Sequence, residues 1–315
     1  MTKKIAFLFP GQGSQAVGMG KDLYDNFESA KNVFDTADKV LSKNISTMCF
    51  EGPEDSLKQT INTQPSIVTM SIAAMEALKS ELDITPSYTA GHSLGEYCAM
   101  YTSGVMSLEN TLKAIQKRAD LMSATKGGSM AAVLNASEEQ LKAGLEEGSK
   151  VGYVDVANYN SPAQVVITGA EDAVKAASDY MVANGVRRVV PLAVSGAFHS
   201  KFMENAGKEF AEFVSNLDLN NASIPVITNV DAEITTNSED FRVKMPKQIY
   251  SSVHWTQTIE KMIAEGVDTF VEIGPGKVLA GLNKKISSEI KTYNVFDKAS
   301  LDATVGALKE ELAGV

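Results

Sequence analysis

Short unbroken apolar runs alternate along this chain with longer stretches of helical period. Ile5 to Phe9 is one such run, closed by Pro10-Gly11-Gln12-Gly13, the pattern of a strand buried on both faces. Helical patterns follow over Asp22–Asp38 and Pro65–Leu82. Tyr88-Thr89-Ala90 predicts a short strand, Gly91 a sharp turn, and Leu94–Ser103 a helix. Ser107 stands at an N-cap position, and Leu108, Leu112, Ile115, Ala119 and Met122 behind it form one apolar stripe. Lys113 and Lys117 fall opposite that stripe, whereas Arg118 falls at its border. A guanidinium there can reach an interior cleft; its plainer reading is a charge on a helix surface.

Gly127-Gly128 breaks the pattern, and the next stretch reads as a module of its own. Met130–Leu134 predicts a strand, and Ser137-Glu138-Glu139-Gln140 a capping box that opens a helix. Val151–Asn158 and Gln164–Thr168 predict strands joined by Asn-Ser-Pro turn residues. Glu171–Asn184 predicts a helix stopped by Gly185, and Val186–Val194 a last strand. The order βαββαβ is a ferredoxin-like signature. It places an inserted subdomain at 128–196 within a larger unit formed by 1–127 and 197–315. In that unit Lys201–Leu217 predicts a helix, Ile224–Asn229 and Thr269–Ile273 strands, and Gly274-Pro275-Gly276 a turn into a helix from Lys277. Asn294–Phe296 and Leu301–Leu312 predict a last strand and a last helix. Strands alternating with helices argue for an α/β fold with a mainly parallel sheet.

Composition narrows the function. The 315 residues are 44% hydrophobic and 22% charged, enough for a sizeable core, and the formal net charge is −10. That charge argues against nucleic acid as a partner, because phosphate binding needs basic patches. Steering an acidic protein partner would need local Lys/Arg patches. Cys49 and Cys98 form no CxxC pair, and two buried thiols in a reducing compartment are the expectation. Met1-Thr2-Lys3-Lys4 and the short run after it suit neither a signal peptide nor a membrane span, so no membrane association and a cytoplasmic location are expected.

Candidate chemistry centres on Gly91-His92-Ser93-Leu94-Gly95, a G-x-S-x-G elbow between a predicted strand and a predicted helix. Such a turn lifts the Ser93 hydroxyl out of the sheet and sets the Leu94 amide at a helix N-terminus, where an oxyanion can bind. An inert loop serine is the alternative. A nucleophilic serine needs a base, and the chain has three histidines. His92 adjoins the serine and projects elsewhere. His254, beside Trp255, reads as a packed or capping residue. His199 lies where the chain leaves the inserted module, the place where clefts form, and is the candidate base. No Asp or Glu occupies an evident third position, which leaves a backbone carbonyl to orient the ring. Gly11-Gln12-Gly13-Ser14-Gln15-Ala16 formally fits a dinucleotide fingerprint, but Pro10 precedes it and the segment that follows shows no strand ending in an acidic residue about 20 positions on. Donation of the Gln12 amide toward the reaction centre suits that loop better.

These residues resemble the malonyl-CoA:acyl carrier protein transacylase family. The resemblance rests on Phe9-Pro10-Gly11-Gln12-Gly13-Ser14-Gln15, Gly91-His92-Ser93-Leu94-Gly95-Glu96, Gln116-Lys117-Arg118 with Leu121-Met122, and Phe198-His199-Ser200. Asn158-Tyr159-Asn160-Ser161-Pro162, Gln164-Val165-Val166-Ile167 and Glu272-Ile273-Gly274-Pro275-Gly276-Lys277-Val278-Leu279 extend it over nearly the whole chain. It implies an α/β-hydrolase-like core carrying a ferredoxin-like subdomain. It implies Ser93 as nucleophile, His199 as acid/base, the Gln12 and Leu94 amides as oxyanion hole, and the Gln248 carbonyl as the group that orients His199. Arg118 matches the arginine that binds the malonyl carboxylate; Gln64 and Asn160 match other cleft positions. The CoA thioester is then substrate, with no resident cofactor or metal, and malonyl-CoA and an acyl carrier protein are the partners. Phe198, bulky and next to His199, should crowd an α-methyl group and favour malonyl over methylmalonyl. A polyketide acyltransferase, an acyl hydrolase sharing the elbow, and a non-catalytic docking module are the competing readings.

Overall fold

A computed structural model describes residues 3–313; Met1 and Thr2 of the N-terminal segment lie outside the described residues. Ten strands form two sheets: β1 Ile5–Phe9, β2 Tyr88–Gly91, β3 Ser129–Leu134, β4 Val154–Ser161, β5 Gln164–Gly169, β6 Arg188–Pro191, β7 Val226–Ile227, β8 Ile234–Thr235, β9 Thr269–Ile273 and β10 Lys291–Val295. The larger sheet runs β10-β9-β1-β2-β7-β8. Its first five strands are parallel, and β8 pairs antiparallel with β7 at one edge.

Alternation along β1 explains why this sheet is covered on both faces. Ile5, Phe7 and Phe9 join the main core with helices Thr60–Glu81 and Leu108–Ala124. Ala6 and Leu8 point the other way and pack with Trp255, Ile259 and Leu279 of helices Trp255–Ala264 and Val278–Ile286. Phe9 pairs in register with Gly91, so the loops leaving β1 and β2 emerge side by side at the carboxyl ends of parallel strands. Open α/β sheets build their sites at that edge.

The second sheet runs β4-β5-β3-β6, antiparallel throughout. Helices Glu138–Ser149 and Glu171–Ala183 follow β3 and β5, so the chain order is βαββαβ. Ala131, Val133 and Ile167 pack under these helices, while Met130, Ala132 and Val166 on the opposite face join the main core. The Ser137 capping box is formed: Ser137 Oγ accepts from the Gln140 N–H at 3.2 Å, and Gln140 Oε1 accepts from the Ser137 N–H at 2.9 Å.

Several elements differ from the sequence expectation. The segment Asp22–Asp38 is two helices, Lys21–Asn26 and Glu28–Leu41, because Phe27 is extended between them and turns its ring into the core. The helix expected from Pro65 begins at Thr60. Pro65 forfeits one bond near the helix start, and the continuous burial from Thr63 to Met75 overrides it. The strand expected over Val151–Asn158 starts at Val154 and continues to Ser161 through two register shifts, which let it carry two faces of unlike chemistry. β6 ends at Pro191, where the ring removes a ladder donor, well short of Val194. β7 is two residues long, not the whole of Ile224–Asn229. The helix expected over Lys201–Leu217 is a 3₁₀ turn, Lys201–Met203, followed by helix Glu204–Ser215. The last strand and the last helix begin three residues ahead of the expectation, at Lys291 and Lys298. Helices Ile45–Glu51, Glu54–Leu57, Ser238–Tyr250 and Trp255–Ala264 had no counterpart in the sequence reading. No described helix is long and apolar enough to cross a membrane. Cys49 and Cys98 are free, buried thiols, and burial pushes both of their pKa values up, that of Cys49 to about 12.

Candidate active site

β2 ends at Gly91, and helix Gly95–Thr102 begins four residues later. The intervening turn crosses close against β1. A Cβ on Gly91 would stand 1.9 Å from the Gly95 carbonyl carbon, and one on Gly95 2.2 Å from the Phe9 oxygen. Both glycines of the G-x-S-x-G pattern are therefore steric requirements. Ser93 between them takes a left-handed backbone, φ 52°. Such strain costs about 1–3 kcal/mol and persists only where neighbours impose it.

Ser93 Oγ lies 2.8 Å from His199 Nε2. The other ring nitrogen, Nδ1, lies 2.9 Å from the Gln248 carbonyl oxygen and 3.1 Å from that of Ser251. A proton on Nδ1 satisfies those carbonyls and leaves the Nε2 lone pair facing the hydroxyl. No Asp or Glu side chain bonds the ring among the described residues. His199 follows the inserted module, and Thr168 Oγ1 of β5 donates to the Phe198 carbonyl at 3.0 Å, which ties the histidine loop to that sheet. Burial, and then the Arg118 charge, lower the His199 pKa to about 3. The imidazole is thus neutral at physiological pH, the form a base needs.

Arg118 is 1% exposed. Its Nη1 donates to Gln64 Oε1 at 2.8 Å, and Nη2 to Gln248 Oε1 at 3.0 Å and to Ser93 Oγ at 3.1 Å. Its Nε is buried without a partner, and no carboxylate pairs with the guanidinium among the described residues. A buried cation held only by neutral acceptors is primed for an anionic ligand.

The remaining candidates divide. Gln12, Gln64, Leu94 and Phe198 line one cleft with Ser93, Arg118 and His199. Neither the Gln12 nor the Leu94 backbone N–H donates to another backbone carbonyl among the described residues. Gln64 Nε2 rests on Met122 Sδ at 3.5 Å. Asn160 is not among the cleft-lining residues; its Oδ1 lies 2.7 Å from Nε2 of His92, which lines the cleft contrary to the sequence expectation, and so fixes that ring beside the serine. His254 stacks on Tyr159 at 5.2 Å, away from the hydroxyl. The cleft holds about 110 Å³ and is walled by Met122, Met130, Leu192, Val194 and Phe198. That is the space of roughly three to four waters at about 30 Å³ each, enough for a small acyl group. A larger hollow, about 740 Å³ between helix Glu138–Ser149 and the β4–β5 hairpin, is lined by neither histidine nor cysteine. No group of three His, Cys, Asp or Glu side chains is placed to hold a metal among the described residues.

Sequence reasoning missed His92, Asn158, Met130, Leu192 and Val194 as cleft walls, the Ser251 carbonyl, the Gln248 side chain and Asn229. Asn229 Oδ1 accepts from the Ser93 N–H at 2.8 Å. Nothing local to Ile227-Thr228-Asn229 signals this; the contact spans 136 positions.

A family model described as acyl transferase domain matches residues 6–314. The malonyl CoA-acyl carrier protein transacylase of Bacillus subtilis (strain 168) is 44% identical over 312 residues, 98% of each chain. The solved structure of the malonyl CoA-acyl carrier protein transacylase of Clostridium perfringens superposes with a TM-score of 0.93 at 37% identity, covering 98% of both chains. A malonyl-transacylase solved in complex with its type II PKS acyl-carrier protein superposes with a TM-score of 0.93 at 35% identity, covering 97% of this chain and 100% of that one. With an elbow serine, a carbonyl-oriented histidine and this likeness along the whole chain, the protein belongs to the acyl transferase family that includes the malonyl CoA-acyl carrier protein transacylases.

Proposed function

We propose that the protein transfers a malonyl group from CoA to the phosphopantetheine thiol of an acyl carrier protein, through an ester on Ser93. One observation carries the choice of acyl group: the buried Arg118 guanidinium, hydrogen-bonded to no carboxylate among the described residues, reaches the nucleophile itself at 3.1 Å. A malonyl ester on Ser93 carries its carboxylate one methylene beyond the ester carbonyl, within reach of that guanidinium. Acetyl would leave the cation unpaired, at a cost set by burial.

Ser93 Oγ attacks the thioester carbonyl as its proton passes to His199 Nε2. The Gln12 and Leu94 amides receive the oxyanion. Collapse breaks the C–S bond, and the CoA sulfur takes the proton from His199. In the second half the carrier thiol gives its proton to Nε2 and attacks the ester, and the C–O bond breaks with the proton returned to Ser93. One site serves both halves, so kinetics are ping-pong. Gln248 supports this assignment twice, through its carbonyl on His199 and its side chain on Arg118. Phe198 walls the space beside the ester, where an α-methyl group would project. The chemistry requires no resident cofactor.

We read the larger sheet with its elbow as an α/β-hydrolase-like core, 1–127 and 197–315, and 128–196 as a ferredoxin-like insert; the βαββαβ order supports the latter. Two buried thiols suit a cytoplasmic location. A polyketide carrier is the second reading for the acceptor, favoured by the carrier in the solved complex. Release of CoA from malonyl-CoA tests the function: one equivalent per site without an acceptor, then turnover on adding holo-carrier. Sustained release without any thiol would instead make the protein a hydrolase.

A further inference from the structure

The two peptide groups that flank the Cα of Ser93 are both held from inside the protein. Asn229 Oδ1 accepts from the Ser93 N–H at 2.8 Å, and the Gln248 side-chain amide donates to the Ser93 carbonyl at 2.8 Å. Asn229 Nδ2 also donates to the Gly91 carbonyl at 2.8 Å, so one side chain bridges the turn from strand end to nucleophile. Asn229 is fully buried and anchored in turn. Its N–H donates to Glu96 Oε2 at 2.5 Å, and its carbonyl accepts from the His254 N–H at 3.0 Å. Glu96 itself lies in the first turn of the helix that the elbow opens. The end of β7, the elbow and its helix are thereby braced to one another. Asn229 is not among the cleft-lining residues.

A left-handed serine has no local reason to stay left-handed. An unpaired N–H on the buried side of the turn would favour a relaxed backbone that swings Oγ away from His199. We propose that Asn229 is a positioning residue for the nucleophile: by bridging Gly91 and Ser93 it holds the backbone geometry that aims Ser93 Oγ at His199 Nε2, with Glu96 anchoring it. The proposal rests on the reading of Ser93 as the acyl acceptor.

Single-turnover acylation by malonyl-CoA, followed by intact mass, tests it in Asn229→Ala and Asn229→Asp. The adduct amplitude counts competent sites, and the rate per competent site reports positioning. In Asn229→Ala the rate per site should fall about ten- to a hundredfold, the scale of an ångström-level misplacement, with the half-saturating malonyl-CoA concentration unchanged. Asn229→Asp should fall between, since it keeps an acceptor for the Ser93 N–H and loses the donor to Gly91. A wild-type rate per site with fewer sites or a lower melting temperature would make Asn229 a folding residue only and overturn the proposal. Where the alanine variant does not fold, the near-isosteric Asp variant is read in its place. A wild-type protein that gains no adduct would instead sink the reading of Ser93, a separate outcome.

Discussion

Ser93 Oγ and His199 Nε2 meet at 2.8 Å although 106 positions separate them, and each residue sits in a left-handed backbone, φ 52° and 54°. Two strained residues in direct contact need a surround that over-determines them. The elbow supplies it on one side, and Thr168 with the Gln248 and Ser251 carbonyls supplies it on the other. If His199 takes the serine proton, His199→Ala should slow acylation about 10²–10⁴-fold in a single-turnover measurement. Undiminished acylation would remove His199 from the chemistry.

Arg118 is expected to set the choice of acyl group. Arg118→Ala should lower malonyl transfer about 10²–10⁴-fold, the range for breaking a buried charge pair, and raise acetyl transfer relative to malonyl. Arg118→Lys should recover only part, because an ammonium cannot span Gln64, Gln248 and a carboxylate in one plane. Competition between the two thioesters reads this directly, and an unaltered preference would refute the carboxylate role.

Phe198 is expected to act on the α-carbon. Phe198→Leu widens the cleft beside the ester, so methylmalonyl transfer should gain on malonyl by roughly tenfold, the worth of about one methyl group in an apolar pocket. An unchanged ratio of kcat/KM values would place the discrimination elsewhere.

The His199 ring should stay neutral through the mildly acidic range. Its pKa, lowered to about 3 by burial and by the Arg118 charge, lies below the ordinary histidine value of 6.5. The unfolded chain therefore binds the extra proton first, and this residue's contribution to stability falls as pH drops below 6.5. An NMR titration of the ring should show no protonation near pH 6; a midpoint there would contradict the burial argument.

Glu96 has the opposite sign. Burial raises its pKa from 4.5 to about 7 despite the Asn229 N–H and the Arg118 charge. The folded state then holds a proton that the unfolded state releases, so stability falls as pH rises from 4.5 through 7. Glu96→Gln keeps an acceptor for Asn229 and removes that dependence. The melting temperature of wild type relative to the variant should decline between pH 5 and pH 8, and a constant difference would show that Glu96 is ionised throughout.

Elements whose cause is local were legible in the sequence. β9 begins and ends where the apolar run Thr269–Ile273 does, and the Ser137 capping box forms from its own four residues. Ser93 stood out because its two glycines are a local steric demand, and His199 because only three histidines compete. Helix Ser238–Tyr250 was hidden by Pro246 and by charged positions that its packing on helix Glu204–Ser215 overrides. Gln248 came from family likeness for its carbonyl, while its side chain, which bonds Arg118 and Ser93 together, was not foreseen. Asn229 was not visible at all, because its role exists only once β7 lies beside β2.

Intact-mass measurement after mixing the protein with malonyl-CoA tests the central claim most directly. The account predicts one malonyl adduct per chain on wild type and none on Ser93→Ala. An adduct that survives in Ser93→Ala, or a wild type that gains none, would contradict it.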